Sequence, residues 1–185
     1  MAVIRHKEQR VAVLIDVQNM YHSARNLYGK RVNFKEILKQ AVAGRKLVRA
    51  IGYVIKTVSG EESAFFEALE KIGIEPKNKD LQIFAGGAKK ADWDVGIAID
   101  AIKLAPRVDS LVLITGDGDF VPLVEYLQEG QFGIQVEVMA FGRSTSAKLR
   151  EATDAFTDLD KSPKFLLGIP QGKQKRGETG SENEQ

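Results

Sequence analysis

The sequence predicts an α/β fold in which helices cover both faces of a mostly parallel central sheet. Short runs rich in Val and Ile, such as Val11–Ile15 and Leu111–Ile114, show no polar alternation, as strands buried on both faces do. Segments with apolar residues at helical spacing lie between these runs. Strands that alternate with helices are joined by crossovers, which bring the chain back parallel.

Taken in order, Val11–Ile15 is the first strand, followed at once by polar residues. Asn19 to Tyr28 reads as a helix, then Phe34–Val42, with Phe34, Ile37, Leu38 and Ala41 on one face. Leu47–Ile55 is a second strand. Glu61–Ile72 is a helix, with Phe65, Leu69 and Ile72 at helical spacing and Gly73 closing it. Ile74–Asp80 reads as a polar loop, and Leu81–Phe84 as a short strand running into Gly86-Gly87. Asp92–Leu104 is a helix with Asp92 as its cap and Pro106 beyond its end. Leu111–Ile114 is the most apolar strand, Phe120–Gln128 a helix ending at Gly130, and Ile134–Met139 a strand. Charged Glu137 in that last strand implies a less enclosed face, a sheet edge through which a homodimer would form. Ser146–Glu151 opens a final short helix.

The 185 residues suit one domain with short tails: an arm over 1–10, a domain over 11–160 and a tail over 161–185. From about Pro170 the tail has no apolar face and is expected to be disordered. Zero cysteines exclude disulfides, thiolate metal sites and a cysteine nucleophile, and two histidines, His6 and His22, make a histidine-based zinc site a poor expectation. No apolar run is long enough to span a bilayer, and the first residues lack the apolar core of a secretory signal. A cytoplasmic location without membrane contact is the default. The formal net charge of +2 gives no global field, so any grip on phosphate must be local.

The chemistry lies in where the aspartates fall. Ligands of open parallel sheets bind outside the carboxyl ends of the strands. Asp16 ends the first strand, with Asn19 three residues on; Asp117 and Asp119 follow the Leu111–Ile114 strand in Thr115-Gly116-Asp117-Gly118-Asp119-Phe120. Asp94 opens the helix before that strand and can reach the same edge. The glycines are expected to turn the backbone sharply. Gathered carboxylates repel and raise each other's pKa unless a cation joins them, and oxygen-only ligands suit Mg²⁺ or Mn²⁺. Taken singly, each aspartate is better explained as a turn former or helix cap, Asp119 for the Phe120 helix included; it is their joint placement that points to a site. Asp100 sits about 120° around its helix from Asp94, on another face. Trp93 is a core or rim aromatic, with stacking on a base as the lesser reading.

These motifs resemble the NYN-domain family, the LabA-like branch of the PIN-like nucleases. The resemblance rests on VAVLIDVQNMY (Val11–Tyr21), KKADWDVGIAIDAIKLA (Lys89–Ala105), LVLITGDGDFVPLVEYLQEG (Leu111–Gly130) and ATDAFTDL (Ala152–Leu159), in the family's order. It implies a PIN-like, Rossmann-like three-layer α/β/α fold and metal-dependent hydrolysis of phosphodiesters, usually in RNA. Asp16, Asp94, Asp117 and Asp119 match the family's acids, with Asn19 the companion of Asp16 and Thr115 at a Ser/Thr position that orients a ligand or water. Trp93 stands where smaller residues are common. Asp154 matches a C-terminal aspartate of structural role.

The leading expectation is therefore a ribonuclease in which Asp16, Asp94 and Asp117 hold one Mg²⁺ or Mn²⁺ ion, and Asp119 completes its coordination or serves a second. Lys56, Lys89, Lys90 and Arg143 follow strands and are candidates for phosphate contacts, although a residue of this kind is more often a plain solvated charge. Arg5, Lys7 and Arg10 offer further cations, and an ordinary polar N-terminal arm explains them. A haloacid-dehalogenase-type phosphatase is disfavoured because Gln18 stands where that family has its second aspartate. The first strand leads into no glycine-rich phosphate turn and no Gly-x-Ser-x-Gly elbow is present, which disfavours a Rossmann nucleotide binder and an esterase. A regulator that binds RNA or protein without cutting remains the non-enzymatic alternative.

Overall fold

The first strand is apolar on both sides and becomes the hub of the fold. The computed structural model describes residues 3, 5–56, 63–80, 82–83, 89–90, 92–129 and 131–168. The chain runs β1 (Arg10–Asp16), α1 (Val17–Tyr28), β2 (Arg31–Val32), α2 (Phe34–Val42), β3 (Lys46–Lys56), α3 (Ser63–Lys71), β4 (Glu75–Asp80), β5 (Gln82–Ile83) and β6 (Lys89–Lys90). It continues through α4 (Asp94–Leu104), β7 (Ser110–Ile114), α5 (Val121–Gln128), β8 (Gln135–Ala140), α6 (Ala147–Ala152), β9 (Ala155–Asp158) and β10 (Leu166–Leu167). The main sheet has the order β4-β3-β1-β7-β8-β9, and every pairing in it is parallel.

Alternation along β1 divides the core in two. Val11, Val13 and Ile15 point to one face, where they meet Met20 and Ala24 of α1, Ile37 and Ala41 of α2 and Leu69 of α3. Ala12 and Leu14 point to the other, against Ile97 and Ala101 of α4, Val124 and Leu127 of α5 and Leu149 of α6. That makes three layers, α/β/α. None of Val11 to Ile15 is more than 1% exposed, so truncating Leu14 to Ala would cost about 2–5 kcal/mol. From β1 the chain moves outward through β3 to β4, then crosses back through α4 to β7. The gap between the carboxyl ends of β1 and β7 is the point where strand order reverses, the usual ligand crevice of such sheets. Among the described residues no helix is long and apolar enough to cross a membrane.

Two expectations are overturned. Ile74–Asp80 is no loop: Glu75–Asp80 is a parallel edge strand on β3, with Ile51 opposite Glu75 and Lys56 opposite Asp80. It carries no large apolar side chain because an edge needs only backbone pairing, and its Pro76 and charges discourage further strands. In the Leu81–Phe84 region, Gln82–Ile83 pairs antiparallel with Lys89–Lys90, outside the main sheet. The strand carrying Glu137 is not an edge either. β8 lies between β7 and β9, and Glu137 is only 2% exposed, with Arg45, Arg5 and Ser110 as partners. The homodimer expected through that edge loses its basis. The expected disordered tail from about residue 170 lies outside the described residues, as do Glu61 and Glu62 at the start of the expected Glu61–Ile72 helix.

Candidate metal centre

Asp16 ends β1 and caps α1, its Oδ1 accepting the Asn19 N–H at 3.0 Å. The Asn19 side chain in turn accepts the Gly116 N–H at 3.0 Å, tying the first loop to the loop after β7. The Thr115 hydroxyl donates to Asp16 Oδ2 at 3.4 Å and accepts the Asp117 N–H at 3.2 Å. Asp117 Oδ1 then accepts the Asp119 N–H at 3.0 Å, capping the single turn Gly118–Phe120. The following helix, α5, has Phe120 before its first residue and no side-chain cap, so Asp119 is not the cap expected there. Asn19 and Thr115 act as the braces between the two strand ends.

Gly116 and Gly118 are required by closeness, not by an unusual turn: neither has a positive φ. A Cβ on Gly118 would sit 2.7 Å from Ser146 Oγ, and one on Gly116 would sit 3.1 Å from the Ser144 carbonyl oxygen. The Ser146 N–H also donates to the Gly116 carbonyl at 3.0 Å. The Ser144-Thr145-Ser146 loop is therefore the bed on which the acidic loop lies. Sequence reading missed it; its only signal was the run of small polar residues a few positions after β8.

Asp94 enters from α4, whose start is positioned by Trp93. The indole N–H donates to the Val54 carbonyl at 3.0 Å, its ring lies 5.3 Å from the Tyr53 ring, and Gly96 leaves room beneath it. Trp93, not Asp92, is the residue before the helix, and it makes no side-chain cap. The first turn of a helix favours a negative side chain, which suits Asp94.

Asp94, Asp117 and Asp119 each present a carboxylate oxygen such that the three lie within 4.8 Å of one another. Asp16 stands outside this trio but feels it. Burial pushes its pKa up, the charges of Asp94 and Asp117 add to this, and the Asn19 and Thr115 hydrogen bonds oppose it; the result is about 6. Burial and then the neighbouring charges of Asp117, Asp92 and Asp119 also raise Asp94. Crowded oxygen donors with no nitrogen or sulfur match a hard divalent cation, which would relieve the repulsion. The residues present fit such an ion.

The remaining candidates separate. Asp100 pairs with Lys77 and the Tyr53 hydroxyl, both at 2.7 Å, away from the trio; burial pushes its pKa up, but these partners hold it below the usual carboxylate range. Asp154 accepts the Val136 N–H at 2.8 Å, a structural task. Lys56 ends β3 with its Nζ 5.9 Å from the Phe66 ring centre. Arg143 stacks 4.7 Å from the Tyr28 ring centre and lies 3.7 Å from Asp160. Lys89 and Lys90 form β6, and the positions of their side chains are outside the described residues. In the arm, Arg5 is spent on Glu137 and Arg10 on Asp109.

Comparison with known proteins adds to this geometry. The NYN domain family model matches residues 10–160. The low amplitude and bright protein LabA of Synechococcus elongatus is 28% identical over 169 residues, covering 86% of this chain and 89% of that protein. An uncharacterized protein of Methanocaldococcus jannaschii is 32% identical over 130 residues, 68% of this chain and 45% of its own length. The crystal structure of a protein of unknown function from Vibrio parahaemolyticus superposes with a TM-score of 0.80 at 33% identity, covering 89% of this chain and 100% of that one.

Proposed function

The chain belongs to the NYN domain family, and on that premise we propose that it is a ribonuclease that hydrolyses RNA phosphodiesters with a divalent metal, Mg²⁺ or Mn²⁺. The observation that carries the reading is the trio of carboxylate oxygens from α4 and the loop after β7, mutually within 4.8 Å at the crevice beside β1.

In this reading Asp94, Asp117 and Asp119 hold the ion. When bound, it supplies Lewis acidity that activates water and offsets the charge of the phosphate. Asp16 differs from the three in having both oxygens engaged, by the Asn19 N–H and the Thr115 hydroxyl. It is thereby fixed in orientation, and the burial that raises its proton affinity suits it to accept a proton from the attacking water. Asn19 and Thr115 hold the two loops in register, so the acids are preorganised before substrate arrives. Lys56, Lys89, Lys90 and Arg143 are the proposed phosphate contacts, with Arg143 already ordered by Tyr28.

The test is cleavage of a labelled single-stranded RNA with Mn²⁺, with Mg²⁺ and with EDTA, for the wild type and for Asp117→Asn and Asp94→Asn. Cleavage that needs metal and falls at least about a hundredfold in both variants is expected. RNA that is bound in EDTA and stays intact when metal is added would overturn the enzyme and leave a binding regulator.

A further inference from the structure

The acidic crevice repels a polyanion, so the chain must attract RNA elsewhere, close by. On the far side of Asp16 a groove of about 690 Å³ opens between α1 and α3, floored by the end of β3. That volume lies within the roughly 300–1,000 Å³ of ligand sites. We infer that this groove is a stacking subsite for unpaired nucleobases of the RNA whose backbone passes the acid trio. The inference rests on the ribonuclease reading for its ligand and deepens it.

Three observations carry it. First, the groove opens at the same end of the sheet as the acids, on the opposite face: Val17 and Gln18 of its wall directly follow Asp16, and Val54 and Ile55 follow Tyr53, the register partner of Asp16. Second, it offers π faces. Tyr21 is 44% exposed, with its ring set edge-on to His22 at 5.7 Å and its hydroxyl accepting from Arg25 at 3.3 Å. Phe65 forms the opposite wall, braced 6.0 Å from the Phe34 ring. Third, the charge suits a phosphate backbone: exposed Arg31 and Lys35 line the groove, and no carboxylate does among the described lining residues. An apolar peptide would use the floor but not these cations. A base offers its face to an aromatic ring only when unpaired, so the occupant is single-stranded.

The experiment is fluorescence anisotropy of a short labelled oligouridylate in EDTA across a range of salt, with the full chain. The variants are Tyr21→Ala and the double variant Arg31→Gln/Lys35→Gln, all at exposed positions, with circular dichroism as the check of folding. Tyr21→Ala should weaken binding about tenfold without changing the salt slope. The double variant should lower the slope of log K against log salt by about 1.4, two phosphates at about 0.7 each. Unchanged affinity in both variants, no binding by the wild type, or equal binding of a duplex overturns the subsite; if the wild type still cleaves RNA, the ribonuclease reading survives that loss. Groove-dependent binding with no cleavage in Mn²⁺ would instead sink the ribonuclease reading and keep the groove.

Discussion

Arg45 and Glu137 form an ion pair shut inside the protein, with their side chains 1% and 3% exposed, at the end of the sheet opposite the acid trio. Gln9, Ser110 and Gln135 complete the hydrogen bonding around it, and Arg5 closes it from the arm. Removing one partner strands a buried charge, so Glu137→Gln or Arg45→Met should each cost about 3–5 kcal/mol in urea denaturation. The double replacement Arg45→Met/Glu137→Gln should cost less than the sum of the two, and full additivity would deny the pairing.

Glu137 also gives a pH signature. Burial pushes its carboxyl up, but Arg45, Arg5 and Ser110 hold it below its ordinary 4.5. A folded-state pKa under the unfolded one means stability that is fully present above about pH 4.5 and lost as the pH falls further. Wild type should thus lose stability below pH 4.5 more steeply than Glu137→Gln, and parallel curves would refute this.

This pair explains part of what sequence reading could and could not reach. Glu137 was read as a mark of exposure because its partner Arg45 is remote in sequence, and a buried charge looks exposed until its partner is known. β1 and β7 were legible because the interior of a parallel sheet demands apolar residues on both faces. β4 was not, since an edge strand pairs by backbone alone, and its Glu75–Asp80 carries only Pro and polar side chains. At the site, position at strand ends and a helix start sufficed to single out Asp16, Asp94, Asp117 and Asp119 as candidates, three of which the structure brings within 4.8 Å of one another. Their division of labour was hidden: that Asp16 spends its oxygens on Asn19 and Thr115 while the other three converge depends on loop geometry. The role of the glycines was misjudged for the same reason, because Ser146 presses on Gly118 from a loop distant in sequence.

Asp16 titrates with the opposite sign to Glu137. Its pKa is raised from 3.8 to about 6, by burial first and then by Asp94 and Asp117. A folded-state value above the unfolded one favours the protonated folded protein, so this contribution is complete below about pH 3.8 and lost as the pH rises through about 6. Allowing for partial solvent access, the loss is on the order of 2 kcal/mol. In EDTA, wild type should fall relative to Asp16→Asn between pH 4 and pH 6.5 by roughly that amount. A constant difference between the two stability curves would show that the crowding of the acids is relieved in some other way.

Trp93 is the only tryptophan, and it stands next to Asp94, anchored to Val54 by its indole N–H. Its emission is therefore a local reporter of the trio. Paramagnetic Mn²⁺ held there should quench it in a saturable way that EDTA reverses. Asp117→Asn should weaken the midpoint about tenfold or more, since one of three anionic ligands is lost from the ion's shell. Gly96→Ala adds a sharper test. The new Cβ would meet the Trp93 ring at 2.6 Å, so the indole must shift and take the start of α4, and with it Asp94, away from its place. The variant should fold, shift the Trp93 emission and bind Mn²⁺ more weakly, although the substituted residue is no ligand. If Mn²⁺ quenched Gly96→Ala and Asp117→Asn at the wild-type midpoint, the ion would be held somewhere other than between α4 and the loop after β7.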